Sequence, residues 1–237
     1  MSTVRPGVAS DGIVAQQRGD WDWDFASEIV PDLWAGMVET IRLTAVGIAV
    51  ALVLGLVLAI LRRSSLRLVR WPIGLVIEFV RSTPLLVQLY FLFFVLPSLN
   101  VTLEPFTAAV IGLGVHYAAY TSESYRAGIE SVARGQWEAA ITLNLTRAQT
   151  WRHVILPQAI PTVLPALGNY VVASLKDAPL AAAITVPSVL LAAQRIQSQT
   201  FRGLEPFTVA GILFLAVSLP AALGVRHLEK RYGYQRE

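Results

Sequence analysis

Three side chains at helical spacing carry the clearest chemistry in this chain. His116, Tyr120 and Glu123 stand at i, i+4 and i+7, so a helix would align an imidazole, a phenol and a carboxylate on one face. Further on, Asn169, Ala173 and Lys176 form one helical stripe, with Tyr170, Ser174 and Asp177 beside it. Such groups could meet the charged ends of a zwitterion, or relay a proton. Gln88 is a further pathway candidate. Each set also has a plainer use. Glu123 and Arg126 are three apart and can pair, as can Glu78 and Arg81, while Lys176 and Asp177 could snorkel to headgroups and neutralise each other.

Other chemistries are excluded by composition. The chain has no Cys, so it offers no thiol nucleophile, disulfide or Cys metal site. His116, His153 and His227 are scattered, with no carboxylate at metal-ligand spacing. Lys176 is followed by Asp177 and Lys230 by Arg231, so neither lysine completes a phosphate-binding loop. No Ser-His-Asp arrangement is argued by spacing, and no catalytic residue is assigned. Any ATP and Mg²⁺ must be bound by another chain.

The elements that position these groups are membrane spans. Of 237 residues, 54% are hydrophobic and only 15% charged, against about a quarter charged in soluble domains. Charge-free runs cover 43–61, 82–103 (extending back toward Trp71), 105–122, 154–175, 178–194 and 206–225. Pro157, Pro161 and Pro165 predict a bent or late-starting fourth helix. Arg62, Arg63, Arg67 and Arg70 place the first loop inside, and four arginines place 126–152 there too. The arginine-free turn at 97–105 belongs outside. The first 33 residues are acidic (Asp11, Asp20, Asp22, Asp24, Glu28, Asp32) against Arg5 and Arg18, whereas the tail from Arg226 is basic. An outside N-terminus and inside C-terminus require an odd number of crossings. Five fits, with 178–194 as a re-entrant or outer-side segment. The basic pI of about 9.4 is then a topology signal, not a nucleic-acid signal.

This divides the chain into an outer polar N-terminal segment (1–34), a membrane domain (35–229) and a cytoplasmic tail (230–237). Trp21, Trp23, Phe25 and Trp34 could form an interfacial belt or pack a short helix. The N-terminus lacks the basic and apolar regions of a cleavable signal peptide. Gly112, Gly114 and Gly128 read as helix-packing positions.

About 27 residues separate the third and fourth spans, far more than a hairpin needs. Gln136–Leu143 predicts a short helix, Asn144 a left-handed cap, and Ala139 with Ala140 a small face able to enter a partner's groove. Glu138 lies near that helix's N-terminus, where the dipole favours it. A surface helix lying on the bilayer is the competing reading.

Several motifs carry a family resemblance. Glu138-Ala139-Ala140, the Asn six residues on at 144, and Ile155-Leu156-Pro157 resemble the EAA loop of type I ABC importer permeases. Phe79-Val80-Arg81-Ser82-Thr83-Pro84-Leu85-Leu86-Val87-Gln88, Tyr125-Arg126-Ala127-Gly128-Ile129, Gly135-Gln136-Trp137 and Leu156-Pro157-Gln158-Ala159 resemble the polar amino-acid permeases, the histidine and glutamine type. The resemblance runs from about Ile41 along most of the chain. It implies an all-α integral membrane fold with five transmembrane helices and a cytoplasmic EAA coupling loop at about 131–157. ATPase coupling would fall to Gln136, Glu138, Ala139, Ala140 and Asn144. The family usually has Gly where Asn144 stands, and Lys-Asp-Thr-Ser-Leu where this chain reads Lys176-Asp177-Ala178-Pro179-Leu180; Ala178 lacks the hydroxyl common there. Leu143-Asn144-Leu145, Leu89-Tyr90-Phe91-Leu92-Phe93 and Ala166-Leu167-Gly168-Asn169-Tyr170 look most like permeases of ectoine/hydroxyectoine importers.

The expectation is a permease subunit importing polar amino acids or ectoine-type solutes across a bacterial-type cytoplasmic membrane. It implies ABC ATPase subunits, a second permease, identical or homologous, and an extracytoplasmic solute-binding protein as partners. The substrate path would draw on Gln88, Tyr120, Glu123, Asn169, Lys176 and Asp177. The competing class is a secondary transporter or channel with Glu123 and His116 as an ion or proton relay. The long cytoplasmic loop argues against it.

Overall fold

The computed structural model describes residues 21–232, with side chains described through His227. Arg5, Asp11, Arg18, Asp20, the side chain of Lys230 and the tail beyond Tyr232 lie outside the described residues. Among the described residues every regular element is helical.

α1 (Trp23–Arg62) is opened by Asp22, whose Oδ1 accepts from the Phe25 amide at 3.0 Å. Its 40 residues make about 60 Å, twice a bilayer's apolar thickness. Residues 23–34 are therefore the first turns of the same helix that continues through 43–61. Trp23 and Trp34 are exposed on these turns, whereas Trp21 and Phe25 are half-buried against the core.

The second span is broken. α2 (Arg67–Ser82) ends at Thr83, which Pro84 restricts to extended backbone (φ −110°, ψ 137°), and the chain turns by 106°. It resumes as α3 (Leu85–Tyr90), a π-helical turn at Phe91–Val95 and a 3-10 turn at Leu96–Leu99. The span expected to extend back toward Trp71 does so, as two helices. α4 (Pro105–Glu130) returns through the middle of the bundle. A Cβ added at Gly55 would lie 3.0 Å from the Ala118 carbonyl oxygen, so only glycine allows α1 this close to α4. Thr121 Oγ1 donates to the Ala51 carbonyl across the same contact at 3.0 Å. Gly112, Gly114 and Gly128 abut Leu89, Val50 and Val163 in the same way.

α5 (Arg134–Thr142) follows, then one unbroken helical run, Arg147–Ile184. It starts at α6 (Arg147–Gln149) with a Thr146/Gln149 capping box, widens into a π-turn at Thr150–Ile155 and becomes α7 (Leu156–Asp177). In the wide turn the Leu156 amide reaches the Trp151 carbonyl, just before Pro157. This span therefore begins earlier than its prolines suggested. The 3-10 segment Ala178–Ile184 buries Ala178, Ala181 and Ile184 against Leu43, Leu89 and Leu113. α8 (Val189–Thr200), with Ser188 as its cap, is about 18 Å long, too short to cross. It packs on the first half of α1, so 178–200 is no span. α9 (Leu204–Tyr232) closes the fold.

Three runs are long and apolar enough to cross: α1, Arg147–Ile184 and Leu204–His227; the bent α2–α3 pair makes a fourth. α4 is the fifth. Its 26 residues suffice, and His116, Tyr117, Thr121 and Ser122 are buried against other helices.

Candidate functional site

Two places collect the chemistry-bearing residues: the polar face of α4 toward α7, and the loop carrying α5.

On α4, His116, Tyr117 and Tyr120 form an aromatic cluster with Tyr170 of α7. Ring centroids lie 5.2 Å apart for His116–Tyr120, 5.8 Å for Tyr120–Tyr170 and 6.3 Å for Tyr117–Tyr170. The buried Tyr117 hydroxyl donates to Asp177 Oδ2 at 2.6 Å. Asp177 therefore pairs with a phenol on α4, and not with its neighbour Lys176, which is exposed at the end of α7. Arg81 lies over the Tyr120 ring at 5.4 Å, and the Tyr120 hydroxyl donates to the Arg81 carbonyl at 3.4 Å. Glu78 and Arg81 form a loose exposed pair at 3.7 Å. The exposed Asn169 stands on α7 next to Tyr170.

Two of the pathway candidates, Glu123 and Gln88, have partners within the chain. Glu123 Oε2 accepts from Arg126 at 2.7 and 3.0 Å, and its other oxygen meets the Arg62 guanidinium. Arg126 also bonds Glu130 at 2.6 Å. With two guanidinium partners, Glu123 ties the C-terminal end of α1 to α4. Gln88 donates from Nε2 to the Val80 and Thr83 carbonyls, at 2.8 and 3.1 Å, and lies 2.9 Å from Thr83 Oγ1. Those oxygens sit at the α2 terminus, where the helix break frees carbonyls, so Gln88 holds the kink.

Sequence reasoning missed Tyr117 and Arg62. Tyr117 lies one residue from His116, hence about 100° around the helix from the aligned face. Its partner is sixty residues away. Arg62 was counted as a topology charge.

The loop carrying α5 is built around Trp137, half-buried edge-on against Trp151 at 5.6 Å, with Val132, Ile155 and Ala159 beneath. Asn144 adopts φ 52°. Its amide donates to the Ile141 carbonyl at 2.9 Å and the Leu145 amide to the Ala140 carbonyl at 3.0 Å, a Schellman closure. Gln136, Glu138 and Ala139 face outward with Ile141 and Leu143, the last two 74% and 71% exposed. Ala140 is only 1% exposed, so the pair expected to present one small face is split: Ala139 outward, Ala140 buried. Gln158 Nε2 lies 3.3 Å from Gln136 Oε1, joining α5 to the start of α7.

At the start of α1, just before its first turn, Asp22 accepts from Arg202 Nη1 at 2.7 Å, Arg202 stacks over Phe25 at 4.7 Å, and the Asp22 amide donates to Glu205 Oε1 at 3.3 Å. The Arg202 hydrogen bond, with the Phe25 amide, holds the Asp22 carboxyl below its ordinary 3.8. Among the described residues no group of three or more His, Asp and Glu could hold a metal ion.

Comparison with known proteins places this architecture. Residues 51–234 match the family described as "Binding-protein-dependent transport system inner membrane component". The probable amino-acid ABC transporter permease protein y4tG of Sinorhizobium fredii is 45% identical over 88% of this chain and 90% of its own length. The L-cystine transport system permease protein TcyB of Bacillus subtilis is 41% identical over 73% of this chain and 75% of its own. A chain from the crystal structure of an amino acid ABC transporter with histidines superposes with a TM-score of 0.84 at 33% identity, covering 89% of this chain and 99% of that one. With the five-helix fold and the capped loop between α4 and α7, these likenesses show that the chain belongs to the binding-protein-dependent inner-membrane permeases, among those of the amino-acid ABC importers.

Proposed function

We propose that the chain couples ATP hydrolysis on partner ATPase subunits to the import of polar amino acids. α5 is the contact that receives the ATPase motion, and the α4–α7 face lines the path. The observation that carries this reading is the presentation of α5. One side is anchored by Trp137 and buries Ala140, while Glu138, Ala139, Ile141 and Leu143 stand exposed on the arginine-rich side. Exposed Ile and Leu beside a carboxylate make a surface that gains by burial in a partner's groove.

The positive-inside rule supports an outer N-terminus and a cytoplasmic α5 and C-terminus. Five spans are few to enclose a path, so a second permease, identical or homologous, sits across a two-fold axis. A solute-binding protein delivers substrate from outside. Along the path, Asp177 is satisfied by a neutral hydroxyl, so an arriving ammonium group can take over a carboxylate that carries no cation. Tyr120 and Lys176 stand nearby and Asn169 lies two helical turns along α7; Lys176 suits the substrate's carboxylate.

Uptake by the complex reconstituted with its ATPase and binding protein tests this. Labelled L-histidine, L-glutamine and L-cystine should accumulate only with ATP inside the cytoplasmic-facing compartment. Ectoine belongs in the same assay as competitor: strong competition assigns the importer to compatible solutes, and its absence to amino acids. ATP-independent uptake overturns the reading.

A further inference from the structure

We propose that the cleft between the first half of α1 and α8 is a low-affinity site for free α-amino acids at the outer mouth of the permease. It is separate from the α4–α7 face and rests on the outer orientation proposed above. The cleft encloses about 350 Å³, enough for an amino acid. α1 contributes Asp32 and Glu39, two helical turns apart on one face, and α8 contributes Arg195 and Gln199, one turn apart. Carboxylates on one wall thus face a guanidinium on the other, yet no ion pair joins them. Among the described residues Asp32 and Arg195 make no ion pair, and Glu39 shares one oxygen with Arg42 at 3.3 Å.

The gap cannot close by drawing the helices together. A Cβ added at Gly36 would lie 2.9 Å from Val189 Cα, so the backbones already touch at the cleft's edge. The Val189 amide donates to Thr40 Oγ1 at 3.1 Å, which locks that contact. A zwitterion bridges what the side chains cannot: its carboxylate on Arg195, its ammonium between Asp32 and Glu39. Gly36 and Ile196 leave an apolar floor for a side chain of varied size. A simple anion or cation would satisfy one wall only. The cleft therefore selects the α-amino-acid backbone and not one side chain, which suits a capture site ahead of the path.

The chain has no cysteine, so Gln199→Cys in the full reconstituted complex is a clean reporter, with maleimide labelling read on this chain by gel. L-Histidine or L-glutamine at about ten times Kd should slow labelling about tenfold. N-acetyl and amide derivatives, each lacking one charge, should not, and Asp32→Asn or Arg195→Gln should abolish protection. Unchanged labelling, equal protection by the blocked analogues, or protection only by the binding protein overturns the site; the last marks the cleft as a protein docking surface. Binding-protein-dependent uptake is measured in the same liposomes. Intact uptake without protection overturns the cleft alone, whereas loss of ATP-driven uptake overturns the importer reading on which it rests.

Discussion

The Tyr117 hydroxyl and the Asp177 carboxylate, 2.6 Å apart, join the middle of α4 to the end of α7 where that helix tightens into a 3-10 turn. It is a charge held by a neutral donor, at the point where the Lys176-Asp177-Ala178-Pro179-Leu180 stretch leaves the bundle. Tyr117→Phe leaves Asp177 without that partner, at a cost of about 1–3 kcal/mol. Asp177→Asn keeps a hydrogen bond but loses the charge. Transport should fall in both, with the complex still assembled. A double-mutant cycle on uptake should return a coupling of roughly 0.5–3 kcal/mol; additive effects would mean that the two residues act independently.

The split of Ala139 and Ala140 separates coupling from folding. Ala139→Asp, or Glu138→Arg, alters only the exposed side, so the permease should assemble while ATP hydrolysis no longer drives uptake. Ala140→Leu overpacks a buried position and should cost about 1–3 kcal/mol of stability. ATPase rate, uptake and thermal unfolding measured together distinguish the two. Normal ATP-driven uptake by Ala139→Asp sinks the assignment of α5.

Asn144 occupies a left-handed position, which a branched side chain resists by about 1–2 kcal/mol. Asn144→Gly should be tolerated, and Asn144→Val should loosen α5 and weaken ATPase retention during purification. Equal retention by the two variants would show that the cap does not matter.

Glu123→Gln removes the charge between Arg62 and Arg126 and leaves two guanidinium groups facing each other. The expected result is a lower melting temperature and less assembled complex, with KM for uptake unchanged. A raised KM at normal stability would restore Glu123 to the substrate path.

The Asp22–Arg202 clasp gives a pH dependence of defined sign. Because Arg202 lowers the Asp22 pKa, the clasp stabilises the fold fully above the ordinary value of 3.8 and loses that contribution as pH falls through the depressed value. The difference in melting temperature between the native chain and Asp22→Asn should therefore be constant at neutral pH and vanish only below 3.8. A difference that disappears between neutrality and mild acid would contradict it.

Charge and hydropathy along the chain were enough to determine the all-helical membrane fold and the loop between α4 and α7. Inserting a charge in lipid costs about 2.5–3.5 kcal/mol, so the spans and their flanking arginines announce themselves locally. Asn144 was legible for the same reason, since a left-handed cap is a property of a few adjacent residues. The break at Thr83–Pro84 was written in the proline, but the apolar run around it hid the 106° turn. Partner choice was settled only by tertiary structure. Whether Glu123 pairs with Arg62, Gln88 holds carbonyls, Asp177 meets Tyr117 or Ala140 turns inward depends on which helices are neighbours and at what rotation. Helical spacing fixes a residue's face on its own helix but not what that face meets, and at hydrogen-bond range a rotation of one residue exchanges one partner for another.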